Sequence, residues 1–360
     1  MKKKRKSAEG DGTGVRRATR DDVCRAAGVS TATVSRALNN KKGVGPELRA
    51  KILKSVRELN YVPQAAARHL SKARTDTVAV VFQDLTSGWF LTIFRGIMAR
   101  CSGLYHVLTA LSTREGDEFE LPNRMLAERR VDGMIWLDPR VSPRMVAKVR
   151  DLGFPLVLIQ MPVADPKVGS VLIENRDGSY EAVRHLLQLG YRQIVLVTGS
   201  RSSPDSMQKL EGAQRALREF NVDIPAGNIL EGHHVAAHAV KALAARLDAG
   251  PRPEAIFAFN DEMAIAIVLW LRERGLDVPK DIAVVGFDGI PEARYVGLTT
   301  VETPLFDAGV LAAQMLLEAL AAPTGEGKAR QVVLRGQLCI RDTCGSKLKR
   351  GGKVVPSGEK

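Results

Sequence analysis

Cysteine is scarce in this chain of 360 residues: there are four, at 24, 101, 339 and 344, with neither metal-ligand spacing nor a secreted disulfide pattern. That excludes a disulfide-stapled fold and suits a reducing, cytoplasmic setting. Long apolar runs are missing too, since no stretch reaches the ~18 residues of a membrane-spanning helix. The basic start, Lys2 to Lys6, leads into Ser7 to Gly14 and not into an apolar run, so it does not read as a signal peptide. Catalytic signatures are also absent: no G-x-S-x-G elbow, no P-loop, no GxGxxG after a strand and no His-rich metal spacing. Of the six His residues, His234 and His238 do fall at i, i+4, but no Glu follows His234. The expectation is a chain that is not an enzyme, with no cofactor and no metal.

What is present is charge, unevenly placed. Residues 1–74 carry 19 Lys and Arg against 6 Asp and Glu, residues 75–344 carry 29 against 33, and residues 345–360 carry 5 against 1. A basic N-terminal segment on a mildly acidic body favours polyanion binding by that segment, because its Lys and Arg release counterions from phosphates. With 45% hydrophobic and 26% charged residues, the chain reads as a soluble protein of two or three domains.

The most specific stretch is Ala27 to Asn39, AGVSTATVSRALN. Gly28 offers positive φ between two helices, and Ser30 is placed to cap the second. Val34, Ala37 and Leu38 then make one buried stripe, which turns Thr31, Ala32, Ser35 and Arg36 outward. Small residues in the first turn permit close approach to base edges, and Arg36 carries the fork that fits a guanine. Upstream, Thr19 and Asp22 have capping-box spacing, with Val23, Ala26 and Ala27 as the buried face of the first helix. A third helix opens at Pro46, with Leu48, Ile52, Val56 and Leu59 on one side. After Tyr61 and Pro63, the short alanine-rich run from Gln64 to Ser71 is helical by propensity but too short to be stable alone.

Asp22-Val23, Ala27 to Ser30, Thr33 to Arg36, Leu38-Asn39, Tyr61 to Pro63 and Ala67 to Leu70 together resemble the signature of the LacI/GalR family of bacterial transcription repressors. The resemblance implies a DNA-binding set of Thr19, Ser30, Thr31, Ala32, Thr33, Ser35, Arg36, Asn39, Tyr61, Ala67, Leu70 and Ser71. In it, residues 64–71 act as a hinge helix that orders on DNA, and Leu70 as the wedge that kinks the duplex. It further implies a homodimer on a palindromic double-stranded operator, controlled by a small-molecule effector. The family has Ser and Thr where Gly45 and Leu48 stand.

From Thr75 the texture becomes alternating strands and helices, in two sets, which implies two lobes with parallel sheets. The expected fold is an N-terminal all-α helix-turn-helix head, with three helices plus a hinge helix, followed by a two-lobed α/β periplasmic-binding-protein-like body. The boundaries are 1–17 disordered basic arm, 18–61 head, 62–74 hinge and linker, 75–344 body and 345–360 disordered basic tail. The first lobe is expected at about 75–173 and 303–322, the second at 174–302 and 323–344. By the resemblance, the helix near Leu305 to Ala321 returns to the first lobe, and strands Val332 to Leu334 and Leu338 to Ile340 to the second.

Ligands of open α/β sheets collect at the carboxyl ends of strands, so the cleft between the lobes is the expected effector site. Asp84, Trp89, Phe90, Asp138 and Gln160 would line it from the first lobe, and Lys209, His234, Asn260 and Asp288 from the second. Asp261 reads as a helix cap. Carboxylates, amides and a cation beside aromatic rings suit a small polar, sugar-like ligand. Lys209 stands where the family has an Arg, and His234 and Leu305 where an aromatic occurs, so a nucleoside-responsive or corepressed member remains the alternative. A solute-binding protein would share the body, but should have an export signal and no DNA-reading head. No heptad-repeat tail follows Cys344 to argue for a tetramer.

Overall fold

Capping chemistry sets the limits of the first three helices. Thr19 begins α1 (Arg20–Ala27) with a full capping box: its hydroxyl accepts from Asp22 N, and the Asp22 carboxylate accepts from Thr19 N at 2.8 Å. Gly28, at φ +69°, closes α1 in the left-handed region, and Ser30 then caps α2 (Thr31–Leu38) by accepting from Thr33 N. The third helix, α3 (Pro46–Glu58), follows Gly45, which offers no side-chain cap. Val23, Ala27, Val34, Ala37, Ile52 and Tyr61 close the core of this unit. Ala26, expected on the buried face, is exposed, because it lies outside the Val23–Ala27 stripe that meets the other two helices.

The computed structural model describes residues 18–61, 74–83, 87–112, 117–138, 141–201, 203–322 and 330–349. The expected arm and hinge helix fall outside these residues, as does 350–360 of the expected tail; residues 345–349, expected as disordered tail, instead continue the body, with a short helix at Ser346–Lys349 and Ser346 buried. The chain divides after Arg74, and Thr75 begins the body.

The body's first sheet has the order β11-β5-β4-β3-β1-β2 and is parallel throughout. Its strands are β1 (Thr77–Phe82), β2 (His106–Leu111), β3 (Gly133–Leu137), β4 (Leu156–Ile159), β5 (Gly169–Glu174) and β11 (Gln331–Arg335). The second sheet, β12-β10-β9-β8-β6-β7, comprises β6 (Ile194–Thr198), β7 (Ile229–Glu231), β8 (Ala255–Ala258), β9 (Ala283–Asp288), β10 (Thr299–Glu302) and β12 (Gln337–Cys339). Here only β12 runs antiparallel to its neighbour. Central strands such as β3 and β6 are buried along their whole length, as expected where helices cover both faces.

Among the helices, α4 (Gly88–Cys101) and α11 (Leu305–Ala321) pack in the first lobe, while α7 (Asn175–Gln188), α8 (Pro204–Glu219) and α10 (Asp261–Glu273) belong to the second. Glycine lets the paired helices touch backbone to backbone. A Cβ on Gly309 would lie 2.0 Å from Ile93 O, and one on Gly96 would lie 2.1 Å from Phe306 O.

One placement corrects the sequence reading. The strand at Val332 to Leu334 does not join the second lobe: β11 lies parallel to β5, with Val332 opposite Val171, and only β12 crosses over to pair with β10. The crossing is at Gly336, where a Cβ would meet Val301 Cγ1 at 2.9 Å and Glu302 O at 3.0 Å. With the crossings after β5 and after β10, the chain passes between lobes three times. No helix among the described residues is long and apolar enough to cross a membrane.

Candidate DNA-reading helix and effector cleft

On α2 the side chains sort by burial as an amphipathic helix should. Val34 and Ala37 are buried, whereas Thr31, Ala32 and Arg36 are exposed and Thr33 and Ser35 half-buried. Ser30 and Thr33 hold each other through their hydroxyls at 2.9 Å, and Asn39 Nδ2 donates to Ser35 O at 2.9 Å. The surface left free for a partner is therefore Thr31, Ala32 and Arg36, two small side chains and one guanidinium. Thr19 is exposed but occupied by its capping box. Tyr61 differs from its expected role, since its ring is 6% exposed and packs in the head's core, where α1, α2 and α3 enclose it. Ala67, Leu70 and Ser71 lie outside the described residues.

In the body, the C-terminal ends of both sheets' strands face a cleft. On the first-lobe side, Asp84 lies outside the described residues. Trp89 is half-buried at the start of α4. Phe90 is 3% exposed and stacks on Phe82 with ring centroids 3.8 Å apart, so its ring is core, fixed by β1 beneath it. Asp138, fully buried after β3, accepts a hydrogen bond from Gln83 Nε2 at 3.0 Å. Gln160 follows β4 at φ +62°, and its Oε1 accepts from Ile173 N at 3.0 Å.

The second-lobe side is organised by Lys209. Its ammonium is buried, donates to Phe259 O at 2.8 Å, and lies 3.8 Å from Asp205 Oδ2 and 3.6 Å from Asp288 Oδ1, over the Phe287 ring at 4.1 Å. His234 Nε2 meets Ser206 Oγ at 3.0 Å and Asp205 Oδ2 at 3.6 Å. Burial lowers the His234 pKa below its ordinary 6.5, against the pull of Asp205. Burial raises the Asp205 carboxyl too, but Lys209 and His234 outweigh it and hold it below 3.8. Asp288, at φ +115°, is pushed well above 3.8 by burial, against the pull of Lys209. Among the described residues its carboxylate accepts no hydrogen bond and has the Lys209 ion pair alone.

Adjacent Asn260 and Asp261 divide their work differently from the sequence reading. Asn260 is the cap of α10, with Oδ1 accepting from Met263 N at 3.0 Å and Nδ2 donating to His234 O at 3.2 Å. Asp261 is not the cap: its Oδ2 accepts from Gly289 N at 2.7 Å and Ile290 N at 2.9 Å, and its Oδ1 from Thr300 Oγ1. Fully buried, it is raised to about 7 by burial, against those three bonds.

Between the lobes lies a cavity of 220 Å³, lined among others by Gln160 and Ile173 from the first lobe and by Asn175, Asp205 and Gln208 from the second. The sequence reading missed Asp205, Gln208 and Asn175. The spacing from Asp205 to Lys209, i to i+4 on one helix, was the available signal for the first. Across the cleft, Glu262 Oε1 accepts from Gly88 N at 2.8 Å, at the positive end of the α4 dipole.

Comparison with known proteins supplies two family matches: residues 19–64 to bacterial regulatory proteins of the lacI family, and residues 183–344 to a periplasmic binding protein-like domain. The chain is 31% identical over 316 residues to catabolite control protein A of Priestia megaterium, covering 86% of this chain and 95% of that protein. It is 32% identical over 334 residues to the HTH-type transcriptional repressor PurR of Vibrio vulnificus (strain CMCP6), covering 91% and 98%. In structure it is similar to the lac repressor dimer bound to operator and the anti-inducer ONPF, with a TM-score of 0.79 and 27% identity, covering 91% of this chain and 99% of that one.

Proposed function

Because the chain belongs to the LacI family of bacterial regulatory proteins, we propose that it is a cytoplasmic, homodimeric repressor whose operator affinity is set by a small polar, sugar-like effector held between the lobes of its body. The observation that carries the effector reading is the cavity lined by Gln160 from the first lobe and by Asp205 and Gln208 from the second, with Lys209 and His234 beside Asp205 and Asp288 beside Lys209.

In this reading Thr31, Ala32 and Arg36 meet base edges in the major groove, while Thr19, Ser30, Thr33, Ser35 and Asn39 fix the helix and approach phosphates. Ala67, Leu70 and Ser71 form the minor-groove hinge, with Leu70 as the wedge. Two heads on one palindrome require two chains, which the body joins. Domain limits of 18–61 for the head and 75–344 for the body follow the same scheme.

In the cleft, Asp288 accepts a ligand hydroxyl. Removing a hydrogen bond to a charged group at a buried site is worth roughly 1.5–3 kcal/mol, or about ten- to a hundredfold in affinity. The test is a thermal-shift screen of the full chain against sugars, polyols and nucleosides, followed by operator binding with and without the hit, for the wild type and Asp288→Ala. The variant should bind operator normally alone and respond only at much higher ligand concentration. A response at the wild-type concentration would refute the placement.

A further inference from the structure

Beside the crossing from β11 to β12 lies a second cavity, of 310 Å³, which shares only Glu174 with the cavity in the cleft. One wall is the first turns of α7, with Asp177 and Glu181; the other is the strand segment from Arg335 to Leu338. From these walls we infer that the cavity is a site for a free α-amino acid, separate from the effector cleft, with the ligand's carboxylate on Arg335 and its ammonium between Asp177 and Glu181.

Arg335 is the anion-binding group because no described residue uses it. It stands opposite Glu174 in the register of β11 and β5, where opposite charges ordinarily pair. Glu174 is already taken. It caps α7, with Oε1 accepting from Arg176 N at 3.1 Å and Oε2 from Asp177 N at 2.5 Å. The Arg335 side chain is left exposed, with no ion pair among the described residues. A guanidinium with open donors fits a carboxylate through two parallel bonds.

The helical wall supplies the opposite charge. Asp177 and Glu181 fall at i, i+4 and both line the cavity, a like-charge pair that a cation between them would relieve. Each has one arginine on its own lobe, Arg215 at 3.0 Å from Asp177 and Arg184 at 3.3 Å from Glu181. A carboxylate accepts about four hydrogen bonds, so both keep capacity for an ammonium. One cation facing two anions matches a zwitterion. A phosphate would meet Arg335 and be repelled by the helix, and a polyamine would meet the helix and be repelled by Arg335. Half-buried Leu338 offers apolar surface to an aliphatic side chain. The volume lies at the lower limit of small-molecule pockets, roughly 300–1,000 Å³, and suits one amino acid. Because β11 belongs to the first lobe and α7 to the second, an occupant favours the lobe arrangement in which these walls face each other. Its effect on operator affinity rests on the proposed function; the binding does not.

The experiment is a thermal-shift screen of the full chain against the twenty standard amino acids, with calorimetry on each binder. The amine lacking its carboxylate, the acid lacking its ammonium, and its dipeptide are titrated beside it. At least one amino acid should bind, with amine and acid each weaker by about fivefold or more, the scale of one partly exposed ion pair. Arg335→Gln should erase the advantage over the amine, and Glu181→Gln should reduce the advantage over the acid, with the urea midpoint unchanged in both. An amine binding as tightly as its amino acid overturns the role of Arg335, and a dipeptide binding more tightly overturns the amino-acid assignment. Binding unmoved by both substitutions, or no binder among the twenty, overturns the site. Operator affinity should change with saturating amino acid; if it does not, the coupling to the lobes is overturned. Amino-acid binding in a protein that binds no operator supports this site and refutes the proposed function.

Discussion

Asp261→Asn isolates the energetics of the buried acid at the start of α10. In the unfolded chain this carboxyl has its ordinary pKa of 3.8, and in the folded chain burial raises it to about 7. The folded protein therefore binds that proton more tightly. The stability so gained is complete below about pH 3.8 and lost as pH rises through about 7. At about 1.4 kcal/mol per tenfold in proton affinity, the whole effect is on the order of 4 kcal/mol, of which on the order of 2.5 kcal/mol is lost between pH 5 and pH 8. Asn keeps the geometry: its carbonyl oxygen can take the place of Oδ2 under Gly289 N and Ile290 N, and its amino group can donate to Thr300 Oγ1. The assay is urea unfolding of the full chain at both pH values, followed by tryptophan fluorescence, since Trp89, Trp136 and Trp270 all lie in the body. The loss of stability between pH 5 and pH 8 should be smaller in the variant by about 2 kcal/mol, with Asp288, shifted in the same direction, supplying what remains. An equal pH dependence in the two proteins would show that Asp261 titrates normally in the fold.

Arg36→Ala should cost about 1–3 kcal/mol at one base pair per half-site and leave binding to scrambled DNA at low salt nearly intact; equal losses on a selected palindrome and on scrambled DNA would make Arg36 a phosphate contact. Gly309→Ala drives a methyl against Ile93 O and should destabilise the body by about 1–3 kcal/mol in urea, with Arg36-dependent specificity unchanged. Glu262→Ala removes the acceptor for Gly88 N, worth roughly 1.5–3 kcal/mol for a charged acceptor, and should shift the effector concentration needed for response by about tenfold or more; an unchanged midpoint would separate this bond from the lobe equilibrium.

Local chemistry was readable where it repeats or caps. The turn at Gly28, the caps at Thr19 and Ser30 and the stripe Val34, Ala37 each follow from residues within four positions of one another. The alternation of strand and helix was likewise readable, because strands buried on both faces are written as apolar runs. What was not readable depends on partners far along the chain. Strand β10 is a short, partly polar TTVE segment whose burial comes from β9 and β12 on either side. Strand β11 was assigned to the wrong sheet because its sequence does not tell which exposed edge it will meet; β5, some 160 positions earlier, decides it. Tyr61 was given a contact role by the family resemblance, yet its ring is buried in the core of the head. Asn260 and Asp261 are both polar at a strand end, and only the position of the Gly289 and Ile290 N–H groups separates the cap from the buried acid.

Under the proposed function, the contacts at the entry to the body and between the lobes govern what a bound ligand could move. At its entry to the body the chain is clamped to the first lobe by Asp132, whose carboxylate accepts from Thr75 N at 2.7 Å, Thr75 Oγ1 at 2.9 Å and Asp76 N at 2.8 Å. Three bonds to one carboxylate tie residues 75–76 to the loop before β3, so any displacement of the first lobe is passed to the chain at Thr75. Between the lobes run three backbone crossings and the Glu262–Gly88 bond, and the buried apolar residues of the two lobes form one continuous cluster. A ligand touching Gln160 on one side and Asp205 or Asp288 on the other adds contacts that exist in only one lobe arrangement, which is the condition for it to shift a population at all. Carrying that population from 1:99 to 99:1 requires about 5.5 kcal/mol of differential affinity. Under the proposed function, one bond to Asp288 would supply roughly 1.5–3 kcal/mol of this, so the proposed control of the operator requires a ligand that engages both walls of the cleft at once.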